Sequence, residues 1–473
     1  MGENGHRARQ SVGEAGIEGR QKAYRFSRRQ LLAYAFPAMV ASCAVVPVNA
    51  ILPTLYAKHA SVSVVAAGSV FFLRSIYDAV SDVIIGYLSD RTTGWLGPRL
   101  PWIIAGGILT ALSVAMLYRV PETADVIYFG VWTIAFFTGT TMIGIPHNAW
   151  GSELSPEYAE STRIFSYRSF FDSLGTFTVS ATPLILMFLG VLRTSDYSLE
   201  AVKALGVIIM VLMPLSIVTA TLFAPRAKPR VVHEVKLFDV LDAIRKNRIF
   251  LRFICAYIIA GFGYGFFVAL IFPYITSYLG IGEAFPVILL VVTSVQILVI
   301  PAWTWIINRL GKHRAWAWGW ITNSLVMLPL WFVAPGKDAV VPVVVALGLY
   351  AATNGVSAIA PFSLLGNIAD YDRLKTRRNH AGQFFAFMLF ATKLLGSAGG
   401  VGLILLGGVF GYDLSDAAEN TDFARFGMLL LFIVVPGLFQ LASVALIWNF
   451  PLDERRQNII ARRLEQYDRE TAT

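Results

Sequence analysis

Twelve stretches of mainly apolar residues, each about the length of a membrane span, dominate this chain of 473 residues. They lie near 31–56, 63–88, 101–119, 126–152, 166–192, 203–224, 250–278, 284–308, 313–333, 340–366, 383–409 and 425–450. A helix needs about 20 apolar residues to cross a bilayer core. Inside lipid, each backbone N–H and C=O must find its partner within the segment, which favours helices over open sheets. The expected fold class is therefore an all-α membrane protein with twelve transmembrane helices.

Composition agrees with that reading. Hydrophobic residues make up 56% and charged residues only 15%, whereas soluble globular chains carry about 25% charged residues. The 33 Phe and 11 Trp exceed what one or two soluble cores could hide. A soluble enzyme, a disordered chain and a nucleic-acid binder are excluded. The net charge of +9 is explained by basic loops on one side of a membrane. Cys43 and Cys255 sit far apart in apolar runs and are read as small buried hydrophobes without disulfide or metal spacing.

Residues 1–30 are polar and basic and are expected to form a cytoplasmic tail. The apolar run that follows is too long for a cleaved secretory signal. Lys and Arg in the end turns of a span are counted with the adjoining loop. On that count, the side bearing the N-terminus holds 31, the opposite side 6, and the span interiors two, Arg74 and Lys393. This asymmetry predicts cytoplasmic N- and C-termini in a cell inner or plasma membrane. A basic loop at 225–249 divides the spans six and six. It sets expected bundles at 31–224 and 250–450, with a C-terminal tail at 451–473. Leu237 to Arg248 has the pattern of a helix on the membrane surface.

The two halves carry related loops. Gly86-Tyr-Leu-Ser-Asp90-Arg91 follows the second span, and Asn308-Arg309-Leu-Gly311-Lys312-His-Arg314 follows the eighth, with Asn308 lying 218 residues after Asp90. Two six-helix halves built as repeats are typical of secondary transporters. These loops resemble the Gly-x-x-x-Asp-Arg-x-Gly-Arg motif of the major facilitator superfamily. The resemblance implies the major facilitator fold, with Gly86, Asp90, Arg91, Asn308 and Arg309 in a conformational gate. The second copy is degenerate, having Asn308 for the acid.

Charge inside a span is costly and usually functional. In the second span, Arg74, Asp78 and Asp82 stack one turn apart on a single helical face, flanked by Tyr77 and Ser81. Two carboxylates so close repel, so one must be protonated or a cation must sit with them. A cluster that merely fastens helices together is the alternative, although one acid would suffice for that. The string Arg74-x-x-Tyr77-Asp78-Ala-Val-x-Asp82-x-x-x-Gly86 resembles the helix-two signature of the glycoside–pentoside–hexuronide:cation symporter family, of which the melibiose carrier is a member. Supporting stretches are Pro101-Trp102, Ile145-Pro146 followed by Glu153, and Asp370-Tyr371 followed by Lys375, Gly382 and Lys393.

The resemblance implies that Asp78, Asp82 and Lys393 couple a cation to transport, and that Asp370 and Lys375 belong to the gating loop. The first and fourth spans lack the acids that the melibiose branch supplies there. Two carboxylates with few further hard ligands suit H⁺ at least as well as Na⁺, so coupling is expected to be to H⁺, or else weak. The candidate substrate wall comprises Arg74, Tyr77, His147, Asn148, Trp150, Arg168, Asp172, Tyr264, Gln296 and Asn354, with Tyr257 and Ser357 nearby. Aromatic faces meet the C–H faces of a sugar, while carboxylate, Arg and amide groups meet its hydroxyls. For His147 a structural role competes, and for Arg168 and Asp172 an intrahelical ion pair.

The expected function is cation-coupled symport of a sugar or glycoside by alternating access, without cofactor or metal beyond the coupling ion. Partners are a small-molecule substrate and the lipid bilayer, with no nucleic acid and no obligate protein partner. The same fold carrying a lysolipid, drug or organic anion is the main alternative. An intramembrane Mg²⁺-dependent prenyltransferase is a remote one, because Asp370-x-Asp372 makes a poor second acidic motif.

Overall fold

In the computed structural model, the described residues are 25–154, 158–226, 245, 247–377, 381–415, 419–452, 455–457, 459–460, 462–464 and 466. All regular structure among them is helical. The first pass is α1 (Arg28–Ala50) followed by α2 (Leu52–His59), broken at Ile51 between Pro47 and Pro53. The next five are α3 (Val64–Arg91), α4 (Leu100–Leu117), α5 (Val126–Leu154), α6 (Tyr158–Phe188) and α7 (Leu199–Phe223). Side-chain caps open several of them. Ser27, for example, forms a reciprocal capping box with Gln30 at the start of α1, satisfying N–H groups that a helix start leaves unpaired.

The second set begins with α8 (Arg248–Pro273), prolonged by a π-helical turn over Tyr274–Tyr278. The eighth pass is a bent pair, α9 (Phe285–Leu298) and α10 (Ile300–Leu310), meeting at 45°. Pro301 at the start of α10 cannot donate to the preceding turn, which accounts for the bend. The ninth pass is α11 (Lys312–Met327), extended by a 3₁₀ turn to Phe332. The tenth is α12 (Val340–Asn354), a 3₁₀ break at Gly355–Ala358, and α13 (Ala360–Thr376). The chain then forms α14 (Ala381–Gly408), α15 (Asp422–Leu429), a π turn, and α16 (Val435–Ile447).

Ten of the described helical segments are long and apolar enough to cross a membrane, eleven with the bent pair counted. The remaining pass, starting at Lys312, has only 16 α-helical residues before it tightens into 3₁₀ form. The tenth helix runs well past the apolar stretch, because the polar turn Gly366-Asn-Ile-Ala-Asp-Tyr-Asp remains helical. The proposed surface helix at Leu237–Arg248 lies almost wholly outside the described residues.

Packing between the two helix sets centres on α3 against α14, and on α6 against α9. Where α3 and α14 cross, their backbones nearly touch. A Cβ added to Gly68 would lie 2.7 Å from the Gly400 carbonyl oxygen. Small residues permit such close approach in membrane bundles. Nearby, Ser195 Oγ donates to the Glu283 carbonyl at 2.8 Å. The Tyr197 ring lies 6.3 Å from Phe272 and 5.7 Å from Phe285, edge-on to both. These contacts seal the two sets together at the end of the molecule opposite the start of α1.

Candidate functional site

Between the helix sets lies a cavity of about 470 Å³, within the usual range for small-molecule sites. Its wall comes mainly from the second set. Tyr257 and Tyr264 of α8 join Trp316 and Trp320 of α11, whose rings are 4.3 Å apart. Gln296, Asn354 and Gln440 add amides, and Ser357 and Thr392 add hydroxyls. The first set contributes Asn49, Phe71 and Arg74. Asn354 and Ser357 reach the cavity at the break between α12 and α13. Interrupted helices of this kind line cavities in transporters because their loosened backbone needs polar surroundings.

Arg74 is 7% exposed and held on three sides. It donates from Nη1 to Asn49 Oδ1 at 2.9 Å. Its guanidinium carbon lies 3.5 Å from the centre of the Phe137 ring. Its Nε is 3.4 Å from Asp78 Oδ2. Asp78 is 5% exposed, and its Oδ1 is buried with no hydrogen-bond partner. One turn on, Asp82 takes the Lys393 ammonium between its two carboxylate oxygens. This pair is more accessible than the first, and Lys393 itself lines the cavity. The two carboxylates thus face two different protein cations, one from their own helix and one from α14.

The other candidate residues fall into distinct places. Tyr264, Gln296 and Asn354 line the cavity. Tyr77 shares a hydrogen bond with Thr138 at 2.8 Å. His147 and Trp150 do not line it and instead pack the first helix set. His147 Nε2 lies 2.7 Å from the Tyr34 carbonyl oxygen, and Tyr34 hydroxyl donates to the His147 carbonyl at 3.1 Å. Trp150 Nε1 donates to the Pro225 carbonyl at 2.9 Å. His147 Nε2 and Trp150 Nε1 are thus both taken by backbone carbonyls of the first helix set. Asn148 is exposed, away from the cavity wall. Asp172 accepts from Ser42 of α1, in place of the expected intrahelical pair with Arg168, whose buried Nε has no hydrogen-bond partner.

The two repeated loops differ. Arg91 stacks on Tyr87 and Arg309 on Trp305, at 4.2 and 4.3 Å, so the internal repeat is visible in atomic detail. In the first copy, Arg99 pairs with Glu153 at 2.5 Å and donates to Ser89 at 3.1 Å. In the second, Lys312 donates to Asn367 at 2.9 Å. Gly86 lies on the last turns of α3, and Asn308 is exposed near the end of α10. The side chain of Asp90 is outside the description. Asp370 accepts from Gln457 at 2.9 Å, whereas Lys375 is exposed at the end of α13. The structure does not bring those two together.

Sequence reasoning missed Asn49, Trp316, Trp320 and Gln440 as cavity residues. Asn49 and Gln440 are lone amides in apolar runs, a signal that was available. The two tryptophans were not: Trp is frequent at membrane interfaces as well as in cavities.

The profile of the MFS/sugar transport protein family matches residues 33–454. The symporter YnaJ of Bacillus subtilis is 25% identical over 431 residues, covering 89% of this chain and 91% of its own. The human sodium-dependent lysophosphatidylcholine symporter 1 is 22% identical over 430 residues, covering 83% of this chain and 78% of its own. Among solved structures, the D-xylose–proton symporter superposes with a TM-score of 0.66 at 13% identity, covering 90% of this chain and 98% of that one. At that identity the likeness concerns the fold.

Proposed function

Since the chain belongs to the MFS/sugar transport protein family, we propose that it carries a sugar or glycoside by alternating access, in symport with a proton. That it is a multi-pass membrane transporter of the major facilitator fold follows from the family and from its apolar helices. One observation carries the finer reading. Lys393 both lines the cavity and holds Asp82. A proton reaching Asp82 removes the charge that restrains the ammonium. Lys393 is then free to take a substrate oxygen in the adjoining cavity, so loading of the ion and of the substrate are linked.

A sodium ion fits this arrangement less well. It would have to approach carboxylates that already face an ammonium and a guanidinium, and like charges repel strongly at low dielectric. The cavity chemistry supports a sugar. Tyr257, Tyr264, Trp316 and Trp320 offer ring faces, and Asn49, Gln296, Asn354 and Gln440 offer amides for hydroxyls. With the termini in the cytoplasm, the sealed end faces outward and the state described is the inward one.

A second reading has its own support. Phe71, Val268 and Leu395 form an apolar side of the cavity near Arg74 and Lys393, which suits an amphiphile with an anionic head. The deciding experiment is uptake by proteoliposomes of a panel of glycosides, pentosides, hexuronides and lysophosphatidylcholine, with pH and Na⁺ gradients imposed separately. Sugar accumulation driven by the pH gradient alone supports the first reading. Accumulation driven by Na⁺ alone, or of the lysolipid alone, replaces it.

A further inference from the structure

The second of the repeated loops borders a cavity of about 800 Å³, separate from the one between the helix sets. It is strongly basic. Arg309, Arg314, Arg455 and Arg456 line it together with His313 and Trp448. Arg309 comes from the end of α10, Arg314 from the first turn of α11, and the other two from the segment after α16. Arg456 is engaged by the Pro451 carbonyl at 2.7 Å. Among the described residues, Arg309, Arg314 and Arg455 pair with no carboxylate.

The two copies of the internal repeat hold their basic residues differently. In the first copy the loop has Asp90, and its basic Arg99 closes on Glu153 of α5. In the second copy Asn308 stands where Asp90 was, and Lys312 closes on Asn367 of α13. Asn308 and Asn367 are amides, although Asp370 of α13 still acts on Lys312. Beside this loop the structure leaves an open hollow whose Arg309, Arg314 and Arg455 pair with no carboxylate among the described residues.

The depth of the hollow is marked by indoles. Trp448 at its edge lies 5.8 Å from Trp318, edge to face, and Arg309 stacks over Trp305. All three tryptophans are exposed. Exposed tryptophans ring membrane proteins at the headgroup level, and basic pockets between spans on such a level suit phosphate headgroups. Guanidinium groups bind phosphate oxygens in pairs, with short charge-assisted hydrogen bonds.

We propose that this hollow is a binding site for the phosphate headgroup of an anionic membrane lipid, which supplies negative charge to Arg309, Arg314 and Arg455. The proposal is independent of the transported substrate and of the coupling ion. Its test is the thermal unfolding of the full-length protein in nanodiscs of phosphatidylcholine with and without phosphatidylglycerol, together with native mass spectrometry of retained lipid. Phosphatidylglycerol is expected to raise the unfolding temperature and to be retained. Arg314→Gln with Arg455→Gln should weaken retention about tenfold or more. Asn308→Asp, an exposed change that restores the acid of the first copy, should weaken it in the same direction. Equal retention in both variants overturns the site. Displacement of the lipid by millimolar inorganic phosphate, with the same stabilisation from phosphate alone, overturns the lipid as its occupant.

Discussion

Lys393 on α14 and Asp82 on α3 form an ion pair that joins the two helix sets beside the central cavity. If protonation of Asp82 is what releases this pair, an amide there mimics the loaded form permanently. Asp82→Asn is then expected to lose accumulation against a gradient while retaining exchange of substrate across the membrane. Counterflow and gradient-driven uptake, measured on the same proteoliposomes, separate the two activities. Full accumulation by Asp82→Asn removes Asp82 from the coupling step.

Arg74 and Asp78 differ in character, being almost fully enclosed. Removing one member of a buried pair leaves an uncompensated charge and costs about 3–5 kcal/mol. Arg74→Ala is therefore expected to lower the unfolding temperature in detergent markedly. Arg74→Ala combined with Asp78→Ala should recover part of that loss, because the stranded carboxylate goes with it. An unchanged unfolding temperature for Arg74→Ala contradicts the pairing.

The charged centre was legible because a cation or carboxylate within an apolar run has few possible roles. Arg74, Asp78, Asp82 and Lys393 could all be singled out on that ground, though not the pairing of Lys393 with Asp82, which depends on how α3 and α14 cross. The spans were legible because bilayer thickness sets their length. Their ends were less so, since α13 continues as helix beyond its apolar stretch and α9 bends into α10 within one. His147 and Trp150 were expected in the substrate wall, yet the backbone carbonyls of Tyr34 and Pro225 claim those side chains. Burial satisfied by a distant carbonyl leaves no trace in local sequence.

Asn354 and Trp316 line the same cavity from the interrupted tenth pass and from α11. An amide that meets substrate hydroxyls contributes about 1 kcal/mol or more. Asn354→Ala is expected to raise KM for uptake about fivefold or more with little change in protein yield, whereas Trp316→Ala, which empties a buried core position, should raise KM and also lower the yield of folded protein. Trp316 also donates to Ser357 at 3.3 Å, so Ser357→Ala should reproduce a smaller part of its effect. Unchanged KM in both principal variants would move the substrate elsewhere.

The close crossing of α3 and α14 makes a prediction about conformation. A Cβ on Gly400 would meet the Gly68 carbonyl oxygen at 2.5 Å and the Phe72 nitrogen at 2.6 Å, both backbone atoms that cannot rotate aside. Gly400→Val must therefore push the helices apart at the sealed end, where Ser195 and Glu283 also meet. The variant is expected to transport poorly and to favour the state open at that end. The check is a Ser195→Cys reporter in a Cys255→Ser background, since Cys255 is exposed and Cys43 buried. A membrane-impermeant maleimide should label it slowly when Gly400 is intact and several-fold faster in Gly400→Val. Equal labelling, with both proteins folded, means that this crossing does not hold the end closed.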